Sequence, residues 1–500
     1  MAHSLKFTKY RSAIVIPVIT LSLICILLAL RVGFIPAAST GDIWCSEPAY
    51  WLLKTGVLSA PMHPDAVGSA IRDFYPPTPA LFQAVSFRVL GLSQLSVAIA
   101  PTLTLYTIIL INFFVFYRAG VSYKLCGLLS IAFLAAPDWL RYAVQARFEI
   151  YQTLFIILFF VSIQQGLKIG NAALQFASGL FLAAAGYSYY QFFPLALFVL
   201  SCVAVFNITR GQTLTTIAAT PLGFLVISAA FAIWIGRDFY WFLHQNIEFG
   251  RGYDLISRIA IPHLLVGTVQ LQALPLFAFG SIHLIHVARR GIFESVDQFL
   301  SVVFSALGAA SAFLALVFYG QILLSAISIS LALAATLCFC TSRERILITC
   351  ALTGISIVSI VLLITVAAKA ITSANRNYET FARQLRNESN LAGIVLIDDP
   401  AWLALREITS RDELVHIAGY ANDASRSNKA VILSAPEMAP LVSMLAVLPS
   451  NLYFEKRFPL IAAFLARDDV EGPITIGVPG PYEVLLYRVR RAGIPVNSSR

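Results

Sequence analysis

Two carboxylates stand five residues apart in the stretch Gly41-Asp-Ile-Trp-Cys-Ser-Glu-Pro-Ala-Tyr-Trp-Leu-Leu-Lys-Thr-Gly56, and both have aromatic neighbours. Asp42 and Glu47 are of the type that takes a proton from a hydroxyl when held close to it. Arginines recur in two later segments: Arg147 beside Glu149, and Arg251 after His244 and Gln245. A guanidinium offers paired hydrogen bonds and fixed positive charge, which stabilise a departing phosphate. Tyr50, Trp51 and Tyr75 present flat rings of the kind that bind sugar faces, and Lys54 adds a cation one turn beyond Tyr50. Together these groups suit transfer of a sugar from a lipid phosphate to an acceptor.

Each residue also has a plainer reading. Asp42 is either a base or a solvated helix end, and Glu47 either a second acid or a partner of the helix dipole. Arg147 and Glu149 either hold a donor or pair with each other, and Arg251 either grips phosphate or touches lipid headgroups. His283 and His286 lie three apart, but with no third ligand they read as packing. Arg31 reads as a snorkelling side chain.

The elements that must position these groups are membrane helices. The 500 residues are 58% hydrophobic and 12% charged, with mean hydropathy +0.78, whereas ordinary globular chains carry roughly a quarter charged residues. Apolar runs recur, each long enough to cross a hydrocarbon core of about 30 Å. Eleven spans are expected, at 12–36, 95–117, 122–137, 150–168, 173–187, 190–206, 213–236, 262–287, 298–316, 320–340 and 345–369. The first exceeds the usual signal-peptide core and reads as a retained helix.

With the N-terminus cytoplasmic, the short inner connections hold Lys6, Lys9, Arg11, Arg118, Lys124, Lys168, Arg210, Arg289, Arg290, Arg343 and Arg345, as the positive-inside rule requires. Nine of the twelve acids before residue 370 then fall in outer loops. An odd number of spans puts residues 370–500 outside. There 14 acids and 14 basic residues occur in 131 positions. Strand-like runs at 393–397, 430–433, 474–478 and 483–487 predict a small exocytoplasmic α/β domain. The division is a membrane body over 1–369, with a first outer loop at 37–94, and a C-terminal domain over 370–500.

Within that loop, Ser46-Glu47-Pro48 predicts a capped helix start with proline in the first turn. Glu47, Tyr50, Trp51 and Lys54 would share one face at headgroup depth, and Gly56 would stop the helix. Three prolines in Asp73-Phe-Tyr-Pro-Pro-Thr-Pro79 predict extended chain, followed by an amphipathic helix from Ala80 to Leu90.

The net charge of +9 is spread between apolar runs and forms no cluster, so nucleic acid is not an expected partner. The seven cysteines show neither a disulfide framework nor metal-ligand spacing. Membrane lipids are expected partners, and the absence of targeting signals points to a bacterial inner membrane.

In their order, Asp42 after the first helix, Gly56 fourteen residues on, Tyr75-Pro76-Pro77 and the Ala146-to-Glu149 motif resemble the GT-C glycosyltransferases. The resemblance is to the protein mannosyltransferase-like and lipid A aminoarabinose transferase-like branch. The segment Phe242 to Arg251 is similar to a later loop in some members. Many members carry paired acids where this chain has Asp42-Ile43.

The resemblance implies a polytopic GT-C-like fold, a polyprenyl-phosphate-sugar donor, a lipid, glycan or protein acceptor, and Asp42 as catalytic base. From the chemistry of the residues, Glu47 is expected beside that base, Arg147, Glu149, Arg251 and Lys54 at the donor phosphate, and Tyr50, Trp51, Tyr75, His244 and Gln245 at substrate. Some GT-C enzymes use a divalent metal; without a tight acid cluster, independence of metal and of other cofactors is expected. The alternatives are a lipid-linked glycan transporter or flippase and a non-enzymatic envelope assembly protein.

Overall fold

A computed structural model describes residues 40–59, 76–118, 126, 147–189, 192–236, 281, 284–285, 295–317, 378–409, 414–417, 435–449, 458–477 and 482–490. The chain forms two compact units, one of residues 1–30, 75–79 and 99–368 and the other of residues 31–74, 80–98 and 369–500. Residues 37–74 and 80–94 of the first loop group with residues 369–500, and residues 75–79 with the other unit.

Helices α1 (Thr40–Thr55), α2 (Pro77–Leu90) and α3 (Gln94–Arg118) come first. Helix α1 begins six residues before Ser46, so Ser46 is not its cap and Pro48 lies inside it. Pro48 supplies no N–H to the turn before it, and the helix continues because Ile43, Cys45, Ala49 and Trp51 are all buried. Gly56, at φ +76°, ends it by donating its N–H to the Leu52 carbonyl, as expected of a residue free to turn left-handed.

The prolines at 77 and 79 do not keep the chain extended, since they form the opening of α2. A first turn loses no helical hydrogen bond to proline. Helix α2 buries Ala80, Gln83, Ala84 and Phe87 and exposes Leu81, Val85 and Val89 on its other side.

The membrane-type unit continues with α4 (Phe148–Ile169), α5 (Ala172–Gly186), α6 (Phe193–Thr209), α7 (Leu214–Ile235) and α8 (Val296–Val317). Three described helices are long and apolar enough to cross a membrane, at Gln94–Val115, Phe148–Ile169 and Leu214–Ile235. The bounds of α3 to α8 fall within three residues of the segments expected at 95–117, 150–168, 173–187, 190–206, 213–236 and 298–316, with α5, α6 and the described part of α8 being shorter apolar helices. Of the other five expected spans, only residues 126, 281, 284 and 285 are described.

Helices α5 and α7 meet backbone to backbone. A Cβ on Gly179 would lie 2.0 Å from the Thr220 carbonyl oxygen, and one on Gly223 would lie 2.0 Å from that of Phe176. Buried amides tie neighbouring helices nearby: Asn207 Nδ2 donates to Gln175 Oε1 at 2.8 Å. On α4, Lys168 pairs with Asp297 of α8 at 2.7 Å and Gln164 donates to the same carboxylate at 3.0 Å.

The C-terminal domain contains α9 (Tyr378–Glu388), β1 (Ile394–Ile397), α10 (Ala401–Arg406), β2 (Leu414–His416), β3 (Val442–Val447), α11 (Pro459–Leu465), β4 (Val470–Gly477) and β5 (Glu483–Val489). Its sheet runs β2-β1-β3-β5-β4, parallel across the first three strands and antiparallel across the last. All six residues of β3 are buried, as expected of a strand covered on both faces. One face of the sheet packs Leu396, Val415 and Leu445 with Phe458, Leu460 and Phe464. Helix α9 buries Tyr378, Phe381, Ala382 and Leu385 at helical spacing. Strands β1, β4 and β5 fall where the sequence placed them, β2 and β3 were not foreseen, and the run 430–433 lies outside the described residues.

Hydrogen bonds between helices in a membrane average about 0.6 kcal/mol, whereas forcing extra volume into a packed contact costs about 1–3 kcal/mol. Close backbone approach therefore dominates the α5–α7 contact. Gly179→Ala and Gly223→Ala are each expected to lower thermal stability in detergent more than Asn207→Ala does, as followed by intrinsic fluorescence. The reverse order would mean that the amide pair sets the packing.

Candidate functional site

Glu47 is buried in the first loop with every carboxylate oxygen hydrogen-bonded. Its side chain and that of Arg406 are both 0% exposed and form an ion pair. Arg406 Nε donates to Glu47 Oε2 at 3.0 Å, and Arg406 Nη2 donates to Oε1. Two indoles complete the shell: Trp51 Nε1 donates to Oε1 at 2.8 Å and Trp402 Nε1 to Oε2 at 2.7 Å. The Arg406 guanidinium also lies 5.2 Å from the Tyr50 ring centroid and 5.6 Å from that of Trp51. Lys54 extends over the same two rings, 4.9 Å from Trp51 and 5.8 Å from Tyr50.

The face shared by Glu47, Tyr50, Trp51 and Lys54 is thus present as the helical spacing implies, but it packs on Arg406 and Trp402 instead of lying open at headgroup depth. Burying a carboxylate and a guanidinium is tolerated only when they are paired and their hydrogen bonds are met, and four donors on two oxygens meet that condition.

Why α10 delivers those two residues follows from the end of β1. The buried Asp398 is wired into the sheet by its own backbone N–H, donated to the Ala446 carbonyl at 2.8 Å. Its side chain accepts from Asp399 N at 2.8 Å and from Leu448 N at 3.1 Å. Its carbonyl accepts from Ala401 N, which starts α10. Trp402 and Arg406 are then four apart and share a face of that helix.

A second link joins the loop to the tail: Gln94 Nε2 donates to the Tyr482 hydroxyl at 2.9 Å. Tyr482 sits in an aromatic group with Phe381 and Tyr378, and burial pushes the Tyr378 phenol well above its ordinary range. Within the loop, Gln83 Nε2 donates to the Val97 carbonyl at 2.7 Å and to Ser46 Oγ at 3.4 Å.

In the other unit, Arg147 immediately precedes α4 and forms a two-pronged bond to Glu149, Nε to Oε2 at 3.1 Å and Nη2 to Oε1 at 2.6 Å. Glu149 is 1% exposed and Arg147 14%. The guanidinium lies 5.5 Å from the Phe148 ring centroid, and Phe148 stacks on Tyr189. The backbone of Asp42 falls in the first turn of α1, while its side chain, and all of Tyr75, His244, Gln245 and Arg251, lie outside the described residues. Among the described residues, no three His, Cys, Asp or Glu come together as a metal site.

Sequence reasoning did not find Trp402, Arg406 or Asp398. The four-residue spacing of Trp402 and Arg406 in Ala401-Trp-Leu-Ala-Leu-Arg406 was the available signal. Nothing local announced a partner 359 residues earlier.

The described chain thus combines apolar helices of membrane-crossing length with a mixed-sheet C-terminal domain. No protein-family model and no curated protein matches the sequence. Among solved structures, the chain is similar to the oligosaccharyltransferase of Archaeoglobus fulgidus tethered to an acceptor peptide containing the NVT sequon. That match has 12% identity and a TM-score of 0.51, and covers 96% of this chain and 75% of that one. The same archaeal enzyme, AglB, in complex with an inhibitory peptide and a dolichol-phosphate matches at 12% identity and a TM-score of 0.50, covering 98% and 75%. ArnT from Cupriavidus metallidurans bound to undecaprenyl phosphate matches at 12% identity and a TM-score of 0.42, covering 94% and 97%.

Removing one partner of a buried ion pair costs about 3–5 kcal/mol, because the other charge is left uncompensated. Glu47→Gln and Arg406→Met are each expected to destabilise the folded chain on that scale, and the double variant by clearly less than their sum. Denaturant unfolding of all four proteins measures the coupling, and simple additivity would show that the two side chains do not interact.

Proposed function

We propose that this protein transfers a sugar from a polyprenyl-phosphate-linked donor to a lipid, glycan or protein acceptor at the exocytoplasmic face of a bacterial inner membrane. The observation that carries the reading is the fold it shares along nearly its whole length with the archaeal oligosaccharyltransferase, one structure of which holds a dolichol-phosphate. The order of Asp42, Gly56, Tyr75-Pro76-Pro77 and the Ala146-to-Glu149 motif supports it independently.

In this mechanism Asp42 takes the proton of an acceptor hydroxyl. The acceptor oxygen forms a bond to the sugar C1, and the bond from C1 to the phosphate oxygen breaks with its electron pair going to phosphate. The sugar is transferred with inversion. Arg147 and Arg251 counter the charge gained by the leaving phosphate, with Lys54 adding to the positive field. Glu149 holds the Arg147 fork in one plane, and a fixed plane is what two-pronged phosphate recognition requires. Tyr75, His244 and Gln245 contact substrate. Tyr50 and Trp51 act from beneath α1, where their rings carry Arg406 and Lys54.

Mass spectrometry of envelope lipids and glycans tests the base directly. A deletion strain is expected to lose one sugar, which wild-type protein restores and Asp42→Asn, at equal protein level, does not. Full restoration by Asp42→Asn would remove the base and favour a transporter or assembly role. Arg147→Lys keeps the charge but loses the fork, and is expected to slow restoration about 10-fold or more. An unchanged rate would leave Arg147 as the surface partner of Glu149.

A further inference from the structure

Helix α1 has a weak point in its middle. Pro48 lacks the N–H that would close the turn begun at residue 44, so the half bearing Asp42 and the half bearing Tyr50, Trp51 and Lys54 are joined by an interrupted ladder. Helices kink at such places unless something else holds them. Every strong side-chain contact of Glu47 bears on this point. Glu47 immediately precedes the proline, and its bond to Trp51 Nε1 crosses it. The Arg406 guanidinium grips Glu47 on one side of the break and lies against Tyr50 and Trp51 on the other. Trp402 Nε1 fixes the remaining face of the carboxylate.

We propose that Arg406 and Trp402 are positioning residues for the transfer reaction: they splint α1 across Pro48 and so hold the first turn, with Asp42, in the direction catalysis needs. This rests on the reading of Asp42 as base. It gives the C-terminal domain a defined task, performed by the helix that leaves β1. Asp398 makes that helix a firm mount, since its carboxylate and its own N–H bind the ends of β1 and β3 together.

The test uses the full chain expressed in the deletion strain, with Arg406→Lys, Trp402→Phe, Asp42→Asn and Pro48→Ala/Arg406→Lys. Two quantities are read: the initial rate at which the missing envelope sugar returns after induction, per folded molecule, and amide hydrogen exchange in purified protein. Arg406→Lys is expected to cut the rate about 10-fold or more and to speed exchange across residues 40–55, leaving exchange in residues 172–186 as in wild type. Trp402→Phe keeps the ring and loses one hydrogen bond, so it is expected to do the same to a smaller extent, and it carries the test if the lysine variant does not accumulate. Restoring the backbone N–H with Pro48→Ala is expected to recover most of the rate in the Arg406→Lys background.

A wild-type rate per folded molecule in both single variants would overturn the proposal, because a purely structural clasp alters how much protein folds and not how fast it works. Failure of Pro48→Ala to rescue a slow Arg406→Lys protein would overturn the splint. Full activity of Asp42→Asn, or a deletion strain with an unchanged envelope, sinks the transferase reading instead, and the exchange data then report on the clasp alone.

Discussion

The carboxylate of Glu47 is taken wholly out of water, and the contacts described between the first loop and the tail are organised around that fact. An isolated carboxylate in such a place would be prohibitively unfavourable. It is tolerated because a guanidinium and two indole N–H groups converge on it. Each of those donors imposes a structural demand. Trp51 must lie one helical turn further along α1, Trp402 and Arg406 must share a face of α10, and α10 must leave β1 at a set angle, which Asp398 enforces. The interaction adds little net stability over a well-packed apolar contact of the same volume, and removing either partner leaves the other charge buried and uncompensated.

The membrane-type unit rests on a different principle. Apolar side chains gain nothing by leaving lipid for one another, so helix pairing depends on fit and on meeting buried polar groups. Gly179 and Gly223 let two helices approach at backbone distance, and Gln175 and Asn207 satisfy each other where water is absent. The Arg147–Glu149 pair belongs to the same logic at the mouth of α4, where an acid almost without exposure is held by the residue that precedes the helix.

How much of this could be read in advance depended on how local the signal was. Helices α3 to α8 were legible because an apolar run of sufficient length has one interpretation in a chain of this composition. The strands β1, β4 and β5 were legible from short β-branched runs, while Val442-Ser-Met-Leu-Ala-Val447 hid because Ser, Met and Ala dilute the pattern. Ser46-Glu47-Pro48 looked like a helix start, since proline and a small polar residue have that meaning in isolation. Burial of Ile43, Cys45 and Ala49 overrode it. The face of α1 was correctly composed from the sequence and wrongly surrounded, because neither Arg406 nor Trp402 carries any mark of a partner hundreds of residues away.

That separation has a consequence in time. Synthesis proceeds at about 5–20 residues per second, and the hydrogen bond from Trp402 to Glu47 spans 355 positions, so roughly 20–70 s pass between the emergence of one partner and the other. Through that interval α1 carries an acid destined for burial with no cation to receive it, on a helix interrupted by proline. Loop-closure entropy delays such distant contacts further. The first loop is therefore made early and finished last, and a chain halted between α1 and α10 carries Glu47 without the guanidinium and the second indole that receive it.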